Sequence, residues 1–173
     1  HVTTGTEKRY CYGVSMGPHG GKLREILQGI DTSFSGGPDL KGAEALPRDQ
    51  ALSLLREHER DGLCHTVWTF VTPFIAGICN YDRPDCLAMK STITHGLPML
   101  YRAEYVAVAD AQQCHGCRRC MRVCQFGAIS YSAGTAKAVI DLRRCYGCGI
   151  CRSVCEKNAI TLRDRTDIPA VAN

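Results

Sequence analysis

The chain contains two cysteine arrays of identical spacing, CHGCRRCMRVC and CYGCGICRSVC, and this repeat constrains its fold more than any other feature. The cysteines of the arrays are Cys114, Cys117, Cys120 and Cys124, followed by Cys145, Cys148, Cys151 and Cys155. A glycine, a valine and an Ala-Ile pair recur at the same offset. This internal repeat predicts that each half consists of a loop, a short helix and a strand.

The spacing of the thiols favours four-iron clusters. In a C-x2-C-x2-C-x3-C array, one loop can present three sulfurs to three irons of a cubane. The fourth cysteine leaves on a helix, and in two-cluster ferredoxins such a cysteine ligates the other cluster. We therefore assign Cys114, Cys117, Cys120 and Cys155 to cluster A, and Cys145, Cys148, Cys151 and Cys124 to cluster B.

Two other interpretations of the arrays are weaker. Twelve cysteines in 173 residues would suggest a disulfide framework in a small secreted protein, but eight of them fall in these short-interval arrays. Structural zinc sites usually pair two C-x2-C units across a longer gap. Persistent free thiolates also imply a reducing compartment, which predicts a cytoplasmic protein.

At these motifs the chain resembles the bacterial-type 2[4Fe-4S] dicluster ferredoxins, over about residues 104–165. The resemblance implies a pseudo-symmetric, βαβ-type ferredoxin-like domain and one-electron transfer. One departure is visible, because Gln125 and Glu156 stand where the family usually has proline. The expected fold class is α+β, with an N-terminal extension of mixed α/β structure at residues 1–103, the 2[4Fe-4S] domain at 104–165 and a C-terminal tail at 166–173.

Four further cysteines lie upstream of the arrays, at Cys11, Cys64, Cys79 and Cys86. Four thiols are enough for one more [4Fe-4S] cluster or one zinc ion. The alternatives are inert buried thiols, or a disulfide or reactive cysteine. The segments GLCH and ICNYD resemble the long ferredoxins of anaerobes, in which a Cys-Asn-Cys segment is common; Tyr81 stands at its second cysteine.

The charge of the chain is concentrated near the arrays. The formal net charge is +4, and residues 108–173 contain 10 Lys/Arg against 5 Asp/Glu. A cubane with a 2+ core and four thiolates carries a charge of about −2, so two clusters bring the predicted holoprotein near neutrality. We interpret the basic residues as compensation for cluster charge and as a means of attracting an acidic redox partner, rather than as a nucleic-acid surface.

Upstream of the arrays, the pattern of apolar residues predicts a helix over 47–61, a strand over 65–71, a short helix over 85–92 and a strand over 105–108. A helix is also expected around Leu23–Leu27, and a loop over 32–42. No apolar run reaches the roughly 20 residues of a membrane helix.

Taken with the two cysteine arrays, the sequence predicts an electron carrier rather than an enzyme. The alternative is an iron–sulfur subunit whose N-terminal domain binds a substrate or cofactor that the clusters reduce.

Overall fold

A computed structural model describes residues 10–13, 46–71 and 74–172. The strands of this part are β1 (Tyr10–Gly13), β2 (Cys64–Val71), β3 (Phe74–Tyr81), β4 (Tyr105–Ala109), β5 (Ile129–Ser132), β6 (Lys137–Ile140) and β7 (Ile160–Asp164). The helices are α1 (Arg48–Arg60), α2 (Leu87–Thr94), α3 (Arg119–Val123) and α4 (Ile150–Ser153), and a 3₁₀ helix spans Arg165–Asp167. This mixture of helices and strands confirms the α+β class. The helix expected around 23–27 and the loop over 32–42 lie outside the described residues.

The upstream region contains an antiparallel sheet with strand order β1-β3-β2. Cys11 of β1 pairs with Cys79 of β3, and Cys64 of β2 pairs with Tyr81 of β3. Paired residues share a face of a sheet, as do residues two apart on one strand. These four side chains therefore lie on one face. Strand β3 was not predicted; it runs to Tyr81, and the turn that follows it lies at residues 83–85.

The two upstream helices predicted within the described residues are present, with small shifts at their ends. Helix α1 begins after Pro47 and ends before Gly62, whose φ of 81° takes the chain out of the helix. Helix α2 begins two residues later than predicted. Its N-cap is Cys86, whose Sγ accepts a hydrogen bond from the Met89 N–H at 3.4 Å. An upstream cysteine thus satisfies an N–H group that a helix start leaves without a helical partner.

The array region is built from two small antiparallel pairs, β4 with β7 and β5 with β6. Each array forms a loop that leads into a short helix and then a strand, as predicted, whereas strand β6 was not foreseen. Gly116 and Gly147 occupy equivalent places in the two loops, with φ of 73° and 80°. A Cβ atom at these glycines would overlap the carbonyl oxygens of Ala136 and Tyr105, respectively. The loops therefore require glycine at both positions.

Two buried clusters form the core. The first lies in the array region and includes Val106, Ile129 and Ile160. The second contains Cys64, Cys86 and Met89 from the upstream region together with Phe126 and Ile150 from the array region. The second cluster thus contains side chains from both the predicted N-terminal extension (1–103) and the predicted 2[4Fe-4S] domain (104–165).

The segment expected to be a C-terminal tail packs against the array region. Val171 belongs to the first buried cluster. Arg165 is buried, and its guanidinium donates hydrogen bonds to the carbonyl oxygens of Ala103, Tyr105 and Cys145. These contacts hold the residues after β7 against the start of β4 and the second array. The residues after β7 thus contact the array region, and the boundary of the C-terminal tail at 166–173 stays a prediction.

Candidate metal centres

The first cysteine pocket brings together the four sulfurs assigned to cluster A. Cys114, Cys117 and Cys120 come from the first array, and Cys155 comes from the end of the second. The pocket encloses about 390 Å³, including space open to solvent. Its floor is apolar, with Ala109, Ala138, Val154, Ala159 and Ile160 among the lining residues.

The second cysteine pocket brings together the four sulfurs assigned to cluster B. Cys145, Cys148 and Cys151 come from the second array, and Cys124 comes from the end of the first. The pocket encloses about 350 Å³, including space open to solvent. Four thiols around a largely apolar pocket are the donor set of a four-iron cubane, whose irons each take one cysteine sulfur. The residues present in both pockets therefore fit [4Fe-4S] clusters.

The rims of the two pockets differ in charge. The first is lined by the exposed side chains of His115, Arg118, Arg119 and Lys157. The second has no ionisable lining side chain among the described residues apart from its cysteines and Tyr146. Tyr146 stacks on Phe126 with ring centroids 4.2 Å apart. A cluster in the first pocket would thus lie in a positive field, and one in the second in an apolar, aromatic surrounding.

Contacts on the first rim keep its charges in place. The Arg118 guanidinium lies over the Tyr131 ring at 3.8 Å from the centroid. Arg119 forms an ion pair with Glu156, and the Lys137 ammonium donates to the carbonyl oxygen of Cys114. Glu156 is one of the two residues that replace the proline of the resembled family. It places a carboxylate on the rim and leaves the remaining lining cations in excess.

Burial and hydrogen bonds act in opposite directions on the thiols of the second pocket. Burial raises the pKa of Cys151 to about 12 and also raises the pKa of Cys145. The Ala107 N–H donates to the Cys145 sulfur at 3.4 Å, and the Ala128 N–H donates to the Cys124 sulfur at 3.3 Å. Such N–H···S contacts stabilise negative charge on sulfur, and they tune the potential of a bound cluster.

A cysteine outside the arrays contacts the second pocket. Interaction between the Cys64 and Cys148 thiols lowers the pKa of Cys148 to about 7 and raises that of Cys64 well above its usual range. The Cys64 thiol itself donates a hydrogen bond to the His65 carbonyl oxygen at 3.7 Å. Cys64 is only 1% exposed. The sequence made Cys64 a candidate ligand of a third site, with an inert buried thiol as the alternative. The structure places it beside Cys148, which the sequence assigned to cluster B. Sequence spacing could not have revealed this contact, because Cys64 begins strand β2 whereas Cys148 lies in the loop of the second array.

The other upstream cysteines are placed differently. Cys11 and Cys79 are cross-strand neighbours with their Sγ atoms 3.4 Å apart, and Cys86 lies with Cys64 in the second buried cluster. Within the described ranges, no three or more Cys, His, Asp or Glu side chains converge closely enough to hold a single metal ion. A third metal site on the four upstream cysteines stays a prediction.

The other replaced proline joins the two regions of the chain. The Gln125 side chain accepts a hydrogen bond from the Arg83 N–H at 2.8 Å and donates one to the Gly62 carbonyl oxygen at 3.1 Å. Ser153 of α4 also donates to Glu59 of α1. The residue after the last cysteine of the first array is thus a contact to the upstream region, which the sequence did not reveal.

Comparison with known proteins agrees with this geometry. Residues 113–160 match the family model of the 4Fe-4S dicluster domain. The match confirms the iron–sulfur, ferredoxin-like character of this part of the chain, and it indicates 4Fe-4S cluster binding and electron transfer. No curated protein matches the chain.

In the part of the chain that the structure describes, no helix has both the length and the apolar character needed to cross a membrane.

Proposed function

We propose that the chain is an electron-transfer protein that holds two [4Fe-4S] clusters and exchanges single electrons with a partner redox protein. Cluster A would be held by Cys114, Cys117, Cys120 and Cys155, and cluster B by Cys145, Cys148, Cys151 and Cys124. The observation that carries the proposal is that each pocket contains three sulfurs of one array and the fourth sulfur of the other. When bound, such clusters supply one-electron transfer at a potential set by charge, burial and hydrogen bonds to sulfur.

The charge of the first rim supports a docking site for an acidic partner. His115, Arg118 and Lys157 are exposed around the first pocket, where Cys117 is also exposed. A positive rim raises the association rate of an acidic protein and brings it to the more accessible cluster. The second pocket faces the buried cluster that it shares with the upstream region. We therefore propose that electrons leave or enter at the first pocket.

Iron and sulfide analysis with EPR, on protein purified without oxygen, tests the proposal. We expect about eight irons and eight sulfides per chain, with signals from two clusters that cycle on reduction. Stoichiometric zinc in place of iron, or clusters that never change redox state, would contradict it. About twelve irons would keep the two array clusters and establish a third cubane on the upstream cysteines.

The crossed ligation needs its own experiment. Cys155→Ala should remove the same EPR signal as Cys114→Ala, and Cys124→Ala should remove the same signal as Cys145→Ala. Ligation within each array would instead pair Cys155 with Cys145 and Cys124 with Cys114. Because only the grouping differs, the four variants control for one another.

The alternative of a catalytic iron–sulfur subunit makes a different prediction. It requires that the upstream region bind an organic substrate or cofactor, so that a bound molecule would be released when the purified protein is denatured. We favour the electron carrier because the two cysteine pockets use all eight cysteines of the arrays.

A further inference from the structure

A second pair of thiols lies close together outside the cluster pockets. Cys11 and Cys79 are register partners in the antiparallel pair β1–β3, and their Sγ atoms are 3.4 Å apart. Register partners in an antiparallel ladder have Cα atoms about 4.5 or 5.5 Å apart. Both separations fall inside the range of about 4.4–6.8 Å that a disulfide spans. A bond between these sulfurs therefore requires side-chain rotation and no movement of the strands.

The surroundings distinguish the two thiols from each other. Cys11 is exposed, whereas Cys79 is partly buried. The Tyr81 hydroxyl lies 2.8 Å from the Cys11 sulfur. Hydrogen bonds from Cys79 and Tyr81 lower the pKa of Cys11 to about 6, and the hydrogen bond with Cys11 raises the pKa of Cys79 well above its usual range. Cys11 thus combines access with thiolate character, the two properties of an attacking thiol.

We propose that Cys11 and Cys79 form a thiol–disulfide exchange site, with Cys11 as the attacking thiol, Cys79 as the resolving thiol and Tyr81 as a positioning residue. The substrate class is a disulfide, RSSR, of a small molecule or of another protein. This activity goes beyond electron transfer by the array clusters and does not depend on their ligation.

The exchange is balanced without an outside oxidant. The Cys11 thiolate attacks one sulfur of RSSR, so that the bond from Cys11 to that sulfur forms, the S–S bond of the substrate breaks and one RS⁻ leaves. Cys79 then loses its proton and attacks the Cys11 sulfur, which forms the Cys11–Cys79 disulfide and releases the second RS⁻. The two protons of the dithiol end on the two RS⁻ groups. The substrate gains two electrons, and the cysteine pair loses them.

The Cys11–Cys79 disulfide can be reduced back to the dithiol, because exposed disulfides are readily reduced. A small dithiol such as dithiothreitol reverses both steps and leaves its own cyclic disulfide. Tyr81 also packs against the second buried cluster, which contains Cys64 and adjoins Cys124 and Cys148. The exchange site is thus separated from the second pocket by a few packed side chains.

The test uses the holoprotein, purified without oxygen and treated with oxidised glutathione, followed by alkylation and peptide mass mapping. The wild-type chain should end with a Cys11–Cys79 cross-link, two glutathiones released and none bound. Cys79→Ser should stop with one glutathione on Cys11. Cys11→Ser should react at position 79 at least about tenfold more slowly, because the remaining thiol is less accessible and less ionised. A second arm with insulin as the disulfide distinguishes a protein substrate from a small one.

Two conservative variants keep the test valid if a cysteine variant fails to fold. Tyr81→Phe removes the hydroxyl beside Cys11, and we expect the first step to slow by about threefold or more at pH 6. Tyr12→Phe makes the same chemical change next to Cys11, but that hydroxyl contacts His58 on the other side of the sheet, so the rate should not change. Equal effects of the two variants would overturn the role of Tyr81.

Iron content separates this proposal from the others. If Cys11→Ser and Cys79→Ser each remove about four irons per chain, these residues ligate a third cluster and the exchange site is overturned. Glutathione bound at both wild-type cysteines, without a cross-link, would overturn it as well. Fewer than about eight irons in the wild type would count against the two-cluster carrier alone, because the cross-link is read independently of iron.

Discussion

The side-chain amide of Gln125 donates a hydrogen bond to the carbonyl oxygen of Gly62 across 3.1 Å. Gly62 is buried at the end of α1, and the same amide accepts from Arg83 after β3. Gln125, which directly follows the first array, therefore links that array to the upstream region by two hydrogen bonds. Where the resembled family usually has a rigid proline, this chain has a side chain that recognises two turns of its own extension.

Loss of the Gln125 contacts should loosen the upstream region. We expect Gln125→Ala to lower the free energy of unfolding by about 1–3 kcal/mol, because the buried Gly62 carbonyl oxygen loses its donor. Glu156→Ala is the matched control at the equivalent position of the second array. Its ion pair with Arg119 is exposed, so its loss should cost about 1 kcal/mol or less. Urea unfolding without oxygen measures both, and a larger effect at Glu156 would contradict the assigned roles.

Alanine at Gly116 or Gly147 should damage the cluster loops. Each substitution adds the strain of a positive φ, about 1–2 kcal/mol, to an overlap with a carbonyl oxygen that costs about 1–3 kcal/mol more. We expect a loss of about 2–5 kcal/mol in stability and a lower iron content. Gly134→Ala is the control, because a Cβ there meets nothing within 4 Å. Normal iron content in Gly147→Ala would show that the loop adapts more easily than its geometry indicates.

The Cys64 thiol should raise the midpoint potential of cluster B. A hydrogen bond to a cluster sulfur stabilises the reduced, more negative state. Cys64 lies beside Cys148, and a hydrogen bond to that sulfur in the cluster-bound state would contribute about 0.5–1.5 kcal/mol, so Cys64→Ala should lower the midpoint by about 20–65 mV for a one-electron couple. Cys86→Ala removes a similarly buried thiol that instead accepts from the Met89 N–H. EPR-monitored redox titration of both variants checks this, and equal shifts would point to a cavity effect.

The charged rim should make cluster A the acceptor of the pair. Lys157 lines the first pocket, and a positive charge about 7 Å away in water stabilises an added electron by about 0.6 kcal/mol. Lys157→Gln should therefore lower the midpoint of cluster A by about 10–40 mV and slow the reaction with an acidic partner at low salt. Lys90→Gln, an exposed change on α2, should leave the potential unchanged. If Lys157→Gln shifted the midpoint of cluster B instead, the assignment of cluster A to the pocket beside Lys157 would be wrong.

The local signals in the sequence accounted for much of the secondary structure. The helix after Pro47, the strand after Cys64 and the short helices behind both arrays carry strong short-range patterns, and the structure contains all of them. Strands β1, β3 and β6 were missed, because four to eight residues without a clean alternation are formed by pairing rather than by propensity. The contacts of Arg165 could not be predicted for a related reason, since it binds three carbonyl groups that are distant in sequence.

For the candidate sites, the chemistry follows from local sequence. Eight thiols at cubane spacing predict iron–sulfur clusters whatever surrounds them, because ligand spacing within one loop is a local property. The contacts of the upstream cysteines, in contrast, depend on how the chain folds. Cys64 lies beside Cys148, and Cys11 faces Cys79, because strand register and helix packing bring distant residues together. The same packing made one pocket basic and the other apolar, so two nearly identical arrays acquired different electrostatic surroundings.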